Sequence, residues 1–253
     1  MSRHSLTSRL RSGLTNGHFK PRPGRSSPRV LLASPTSTTV ITYTYDALYR
    51  LTEAVYDNDL SYEYDYDAVG NQTEKRACLT SQGCTPTTYT YDAANRINTV
   101  NGGNPYVWDN NGNLLNDGTN TYTYNTANRL TAINTTQYGF SYNGLGARVS
   151  QTANSVTTNY TLDLASGLPQ VLADGTHTYL YGNMRISQQD ITSTEYFLND
   201  ALGSVRQLVD ENGAVTLAQA YQPYGETLNT TGDGTSSYAF AGEWRDASGL
   251  DYL

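Results

Sequence analysis

The chain has 253 residues and a formal net charge of −7, with 37% hydrophobic and only 15% charged residues and 22 each of Gly and Tyr. That mix favours strands and turns, and the near-absence of Lys (Lys20 and Lys75 alone) removes the residues that supply helix propensity. A helical or doubly wound α/β fold is disfavoured, and no apolar run reaches the roughly 18 residues of a membrane-spanning helix.

Residues 1–39 read as a disordered basic segment. Arg3, Arg9, Arg11, Lys20, Arg22, Arg25 and Arg29 all precede the first acidic residue, Asp46, and the stretch Pro21–Pro28 has no apolar periodicity. Its one apolar stretch, Val30–Ala33, is too short for the core of a secretory signal, so no recognisable signal peptide is present. The body from Asp46 onward holds all 23 acidic residues. Phosphate would be repelled by such a surface, which argues against a nucleic-acid partner.

From residue 40 the sequence repeats itself. Tyr45-Asp46-Ala47-Leu48-Tyr49-Arg50-Leu51, Tyr91-Asp92-Ala93-Ala94-Asn95-Arg96-Ile97 and Tyr124-Asn125-Thr126-Ala127-Asn128-Arg129-Leu130 share one pattern: aromatic, Asp or Asn, two variable residues, a turn residue, Arg, aliphatic. Between them fall Tyr66-Asp67-Ala68-Val69-Gly70, Trp108-Asp109-Asn110-Asn111-Gly112 and Tyr142-Asn143-Gly144-Leu145-Gly146, which keep the aromatic and the Asp or Asn but put Gly at the turn. The spacing suits two short strands and two turns, so each unit predicts a β-hairpin or part of a meander. Asp or Asn at the head of a turn can bond the backbone two residues on, and Gly or Asn at the fourth position tolerates the left-handed conformation.

Upstream of two of these turns, Thr42-Tyr43-Thr44-Tyr45 and Thr121-Tyr122-Thr123-Tyr124 alternate with period two, putting Tyr on one face and Thr on the other. Tyrosines are expected to stack across strands, each pair worth roughly 0.2–1 kcal/mol. Such a sheet is expected to draw stability from repetition and not from one dense centre. With no amphipathic helix to cover its second face, the sheet must curl, stack or line a cavity.

Between two strand signals lie Cys78 and Cys84, which suit either a disulfide pinning a hairpin loop or two free thiols. Two cysteines with no His nearby do not make a metal site. The acidic pairs Asp57/Asp59 and Asp65/Asp67 could in principle support acid–base chemistry. However, Asp46, Asp67, Asp92 and Asp109 recur at one turn position, which marks them as turn formers. Calcium could use the oxygens of 109–113, but no Glu stands at EF-hand spacing. The aromatic residues Tyr106, Trp108, Tyr122 and Tyr124, with Asn and Thr neighbours, would suit sugar stacking, which makes surface carbohydrate the alternative partner. His177 reads as a surface residue, and Ser204 lacks a nucleophile elbow. No cofactor motif occurs.

The last third carries more specific motifs. Tyr196-Phe197-Leu198-Asn199-Asp200-Ala201-Leu202-Gly203-Ser204-Val205-Arg206 is followed by Tyr221-Gln222-Pro223-Tyr224-Gly225-Glu226, then Phe240-Ala241-Gly242-Glu243 and Ser248-Gly249-Leu250-Asp251-Tyr252. Together with the Tyr-Asp hairpins this ordered set resembles the RHS/YD-repeat family and its RHS-associated core. Leu198 stands where the family often has His. The resemblance covers about residues 40–253 and implies an all-β fold of antiparallel hairpins forming part of a curled YD-repeat shell, with 40–160 as repeats and 161–253 as the start of the core region.

The resemblance also implies a non-enzymatic role. Bacterial members enclose a C-terminal toxin, and teneurin shells serve adhesion. The enclosed toxin and the remaining shell segments are the implied partners, and a secreted or cell-surface location follows. The family's cleavage motif is not in this sequence, which reads as truncated before it, so no cleavage residue is assigned.

Overall fold

The computed structural model describes residues 5–9, 39–165 and 169–252. They fall into two compact units, one ending at residue 121 and the other beginning at 122. The disorder expected of residues 1–39 lies outside the described residues, apart from Ser5–Arg9 and Thr39.

In the first unit, β1 (Ser5–Arg9), β2 (Val40–Tyr45), β3 (Leu51–Tyr56), β4 (Leu60–Tyr66), β5 (Gln72–Leu79), β6 (Gly83–Tyr91) and β7 (Ile97–Val100) form one antiparallel sheet in sequence order. A separate hairpin, β8 (Val107–Trp108) with β9 (Leu114–Asn116), follows it. Period-two alternation sets the faces: on β4, Tyr62 and Tyr64 are buried while Asp65 is exposed. Tyr56 and Tyr62 make the expected tyrosine contact, edge to face at 5.9 Å. On the other face Glu53 sits directly opposite Glu63, a like-charge pairing that is unfavourable alone. Arg76 on β5 offsets it by holding Glu63, Asp65 and Glu74 at 2.8, 2.6 and 2.7 Å. Cys78 and Cys84 face each other across β5 and β6 and are joined by a disulfide.

Two meanders make the second unit. The first contains β10 (Tyr122–Tyr124), β11 (Leu130–Ile133), β12 (Tyr138–Tyr142), β13 (Arg148–Ala153) and β14 (Val156–Asn159). The second, with eight strands, runs through β15 (Thr161–Asp163), β16 (Gln170–Ala173), β17 (Thr178–Tyr181), β18 (Arg185–Gln189), β19 (Thr194–Asn199), β20 (Val205–Val209), β21 (Val215–Tyr221) and β22 (Thr227–Gly232). Every strand pairs antiparallel with its sequence neighbour, and neither sheet closes on itself. All-β architecture built from hairpins is thus what the chain adopts.

Two expectations are corrected in this unit. The eight-stranded sheet does have a cover, although no helix supplies it: residues 235–252, through a single 3₁₀ turn at Phe240–Gly242 and the short pair β23 (Trp244–Arg245) and β24 (Asp251–Tyr252), fold over one face. Stability here also has a dense centre. Tyr160, Tyr179, Phe197, Val205, Leu208, Leu217, Tyr238 and Trp244 form one buried cluster, with Tyr238 meeting Trp244 at 5.0 Å and Tyr179 at 5.1 Å, both edge to face. Tyr238 and Trp244 come from the covering segment. A sequence reading for helical periodicity overlooks such a cover, because an irregular segment that buries two large rings has no period.

The repeat turns, headed by Asp46, Asp67, Asp92, Asp109, Asn125 and Asn143, share one geometry. The residue heading each turn accepts a backbone bond three residues on and donates one to the carbonyl four residues on, as in Tyr49 N–H to Asp46 O at 3.1 Å and Asp46 N–H to Arg50 O at 3.0 Å. The fourth residue takes positive φ, and the preceding aromatic sits at a register shift in the ladder. Gly fills that fourth position at 70, 112 and 146 and Asn at 95 and 128, but at 49 it is Tyr, with φ 62°. A bulky residue there costs about 1–2 kcal/mol, and Tyr49, at 86% exposure, recovers little of that by burial. Tyr49→Asn is therefore expected to stabilise the first unit by about 1 kcal/mol, read as a rise in the urea midpoint. An unchanged or lower midpoint would show that the left-handed tyrosine is not a strained position.

Candidate functional site

Each turn is closed by a side-chain clasp. Asp46 Oδ1 accepts from the backbone N–H of Leu48 (2.8 Å) and Arg50 (2.9 Å), while its Oδ2 takes the Arg50 Nε–H at 2.6 Å. Asp92 repeats this with Ala94 and Arg96. In the turns without Arg, an Asn amide replaces the guanidinium: Asn71 Nδ2 donates to Asp67 Oδ2 and Asn113 Nδ2 to Asp109 Oδ2. Asn125 and Asn143 clasp through Oδ1 alone, each accepting from the N–H two and four residues on. Asp200 and Asp210 bring the same clasp into the last third. The carboxylate of Asp109, the best calcium candidate, is engaged by its own turn.

The alternation of Arg and Gly turns has a physical reason. Arg50 reaches to the next turn, donating to Asp67 O at 2.9 Å and lying 4.8 Å over the Tyr66 ring. Arg96 lies 5.6 Å over Trp108, and Arg129 lies 5.8 Å over Tyr142. A Cβ on Gly146 would fall 2.5 Å from the Arg129 guanidinium, so at this turn the small residue makes room for its neighbour's arginine, whereas Gly70 and Gly112 have nothing within 4 Å and serve the left-handed turn alone. The aromatic then donates back to the strand that leaves the preceding turn: Tyr66 to Leu51 O (2.7 Å), Tyr91 to Gln72 O (2.7 Å), Trp108 Nε1 to Ile97 O (2.9 Å) and Tyr142 to Leu130 O (2.8 Å). Successive hairpins are stitched together tip to tip. The rings of Tyr66, Trp108 and Tyr142 pack against arginine, a partner that the expected tyrosine ladder did not include.

The core motifs converge although they are far apart in sequence. Ser204, fully buried, accepts the Ala241 N–H at 3.0 Å through Oγ, and Val205 N–H donates to Ala239 O at 3.0 Å. Arg206 pairs with Asp200 at 2.8 Å and lies over Tyr221. Gly225, which follows Pro223 and Tyr224, lets Phe240 close in, since a Cβ there would fall 2.6 Å from its ring. Arg245 binds Asp251, Thr227 Oγ1 and Gly225 O. Asn199 and Glu226 flank these turns, while Leu202, Tyr224 and Leu250 are exposed at the tips and Gly249 takes positive φ. Gly203, Ser204, Val205 and Gly225 are thus among the residues through which the sheet meets the covering segment.

Sequence reasoning missed the most deeply buried charges. Arg148 on β13 makes a two-pronged pair with Asp246, 2.6 and 2.7 Å, and both side chains are less than 5% exposed. The Tyr252 ring lies 3.8 Å from the guanidinium carbon. Burial pushes the Asp246 carboxyl upward, against the pull of Arg148. Nothing local marks either residue, because 98 residues separate them. His177 is not the surface residue expected: it is half-buried, with Nδ1 3.9 Å from Asp174.

The titrations follow from the clasps. The Arg50 backbone N–H and the Arg96 backbone N–H hold Asp46 and Asp92 below the usual carboxylate range. The Thr192 hydroxyl holds Asp190 at about 2. For Asp174, burial acts upward, but donors from His177, Tyr179 and the backbone outweigh it and bring the carboxyl to about 2. Asp174 in turn raises His177.

Comparison with known proteins yields a match to the sequence profile of the teneurin YD-shell over residues 29–247. No curated protein matches. Among solved structures, the Tc holotoxin pore of Photorhabdus luminescens carrying a TccC3 mutation superposes with TM-score 0.67 at 20% identity, over 89% of this chain and 14% of that one. TcdB2–TccC3 without its hypervariable C-terminal region gives 0.43 at 17% identity, over 85% and 16%. The chain therefore spans a small part of the length of these proteins.

Two outcomes are expected. Aspartates held below their unfolded value of 3.8 stabilise the fold above that pH and lose the contribution as pH falls toward their folded values. His177, raised above 6.5, contributes below that pH and loses its contribution as pH rises through its folded value. The urea midpoint should therefore be highest at about pH 4–6 and fall steeply toward pH 2, with Asp174 alone accounting for about 2 kcal/mol. A midpoint that stays flat down to pH 2 would contradict this. Asp246→Asn, which leaves Arg148 buried without a counter-charge, should cost about 3–5 kcal/mol, and Arg148→Met with Asp246→Leu should recover most of it. Equal losses in both variants would mean that packing, not the stranded charge, sets the cost.

Proposed function

The chain belongs to the teneurin YD-shell family, and from that premise we propose that it is a non-enzymatic wall segment of an RHS-type toxin protein, one that encloses or presents a C-terminal effector in interbacterial competition. The observation that carries this reading is the tip-to-tip stitch. A hydroxyl or indole N–H from each of several hairpins bonds the strand leaving the turn before it, so a wall can be extended unit by unit without a new core for each addition. The recurring carboxylates are committed to their own turns. That leaves Asp46, Asp67, Asp92 and Asp109 in structural roles.

Several further points support the reading. The fold likeness to the Tc holotoxin pore is one. The Cys78–Cys84 disulfide suits an oxidising compartment and thus a secreted or surface-delivered protein. The division proposed for the chain is a lead over 1–39, repeats over 40–160 and the start of the core region over 161–253. Carbohydrate binding at Trp108 has less in its favour, because the indole N–H is engaged by Ile97 O and Arg96 lies over the ring.

Sequencing the locus on both sides of this frame, followed by limited proteolysis of the complete gene product, tests the proposal. Further YD repeats and an unrelated C-terminal domain should appear, and that domain should resist protease in the whole protein while being digested when expressed alone. Flanks without repeats, or a C-terminal domain cut equally fast in both settings, would remove the container role.

A further inference from the structure

The second unit holds a cavity of ≈ 260 Å³ between the eight-stranded sheet, β13 and the covering segment. Its wall is aromatic: Tyr160, Tyr181, Tyr238, Trp244 and Tyr252. Two arginines, Arg148 and Arg185, also line it, and their situations differ. The charge of Arg148 is met by Asp246, and only its buried Nε has no hydrogen-bond partner.

Among the described residues Arg185 has no such counter-ion. It donates from one guanidinium nitrogen to Gly242 O at 3.1 Å and is packed among the rings of Tyr181, Phe197 and Tyr238. Its Nε is also buried without a partner. Among the described residues no carboxylate lies within 4.0 Å of it. Glu243 shares the lining but is beyond ion-pair reach. A cation partly removed from water without an ion-paired anion is costly, and a concave, mostly apolar site with a few convergent polar groups is the usual form of a small-molecule pocket.

We infer that this cavity binds an apolar carboxylate, an aromatic or branched hydrocarbon group carrying one carboxyl, with Arg185 as the anion's partner. Size agrees with this assignment. A dry cavity of about 150 Å³ accommodates benzene, and the extra room suits a short acid stem. Edge-to-face contacts from the surrounding rings suit a planar group, and the guanidinium N–H groups of Arg185 not taken by Gly242 O suit a carboxylate. The inference stands apart from the shell reading and survives if that reading fails.

Calorimetric titration of the full chain with phenylacetate and with its neutral isostere phenylacetamide tests it, with Trp244 emission as the local reporter. One equivalent of phenylacetate should bind at least about tenfold more tightly than the amide, the difference expected of a hydrogen-bonded charge. Arg185→Met should reduce the two affinities to the same level. Equal affinities for the two compounds in the unaltered protein, or no binding of phenylacetate, would overturn the inference whatever the variant does. Should Arg185→Met not fold, Glu243→Gln serves in its place. Removing the carboxylate that shares the lining should tighten phenylacetate and leave the amide unchanged, and the opposite result counts against the assignment.

Discussion

One side-chain oxygen accepting two backbone N–H groups is the interaction on which the architecture depends. When Asp46 Oδ1 takes the N–H of Leu48 and Arg50, it holds the chain in a tight reversal whose fourth residue is left-handed and whose exit strand is offset by one residue from its partner. That offset presents the aromatic before the turn to the neighbouring tip. The carboxylate's second oxygen aligns Arg50, and the guanidinium then spans to Tyr66 and Asp67 in the next turn. Turn chemistry is thereby converted into contact between repeats.

Repetition and a core divide the work differently in the two units. Each clasp lies half-buried at the surface, with the Asp46 and Arg50 side chains 23% and 27% exposed, and surface charge pairs contribute little individually, about 0–1 kcal/mol. Their effect comes from recurrence and from fixing register, since a slip of one residue would move every Tyr to the wrong face. In the second unit, Leu208 and Leu217 face each other across β20 and β21 with almost no exposure, and loss of such a side chain costs about 2–5 kcal/mol. Added to the buried Arg148–Asp246 pair, this makes the covering segment part of the fold and not a tail laid upon it.

The same covering segment explains why a cavity exists there. Its rings meet edge to face, and Tyr238, Trp244 and Tyr252 line the space left beside them, whereas a helix packed on a sheet would fill the layer with aliphatic side chains. The unpaired guanidinium of Arg185 is positioned by this irregular packing. Like the turn arginines, Arg185 lies over neighbouring rings, and it lines the cavity as well.

Much was legible from the residues alone. Tyr-Asp-x-x-Gly and Tyr-Asp-x-x-Asn-Arg contain in one short stretch the acceptor, the left-handed position and the arginine, so hairpins, their order and the all-β class followed from local chemistry. The motifs around Ser204, Gly225 and Phe240 were recognisable as a set, although what joins them was not. Residues 235–252 as a cover, the Arg148–Asp246 pair and the uncompensated Arg185 were decided only by the tertiary structure. Each depends on partners brought together from distant stretches, where neither spacing nor periodicity leaves a trace. A turn is determined within five residues, but a buried charge is determined by whatever the fold places around it.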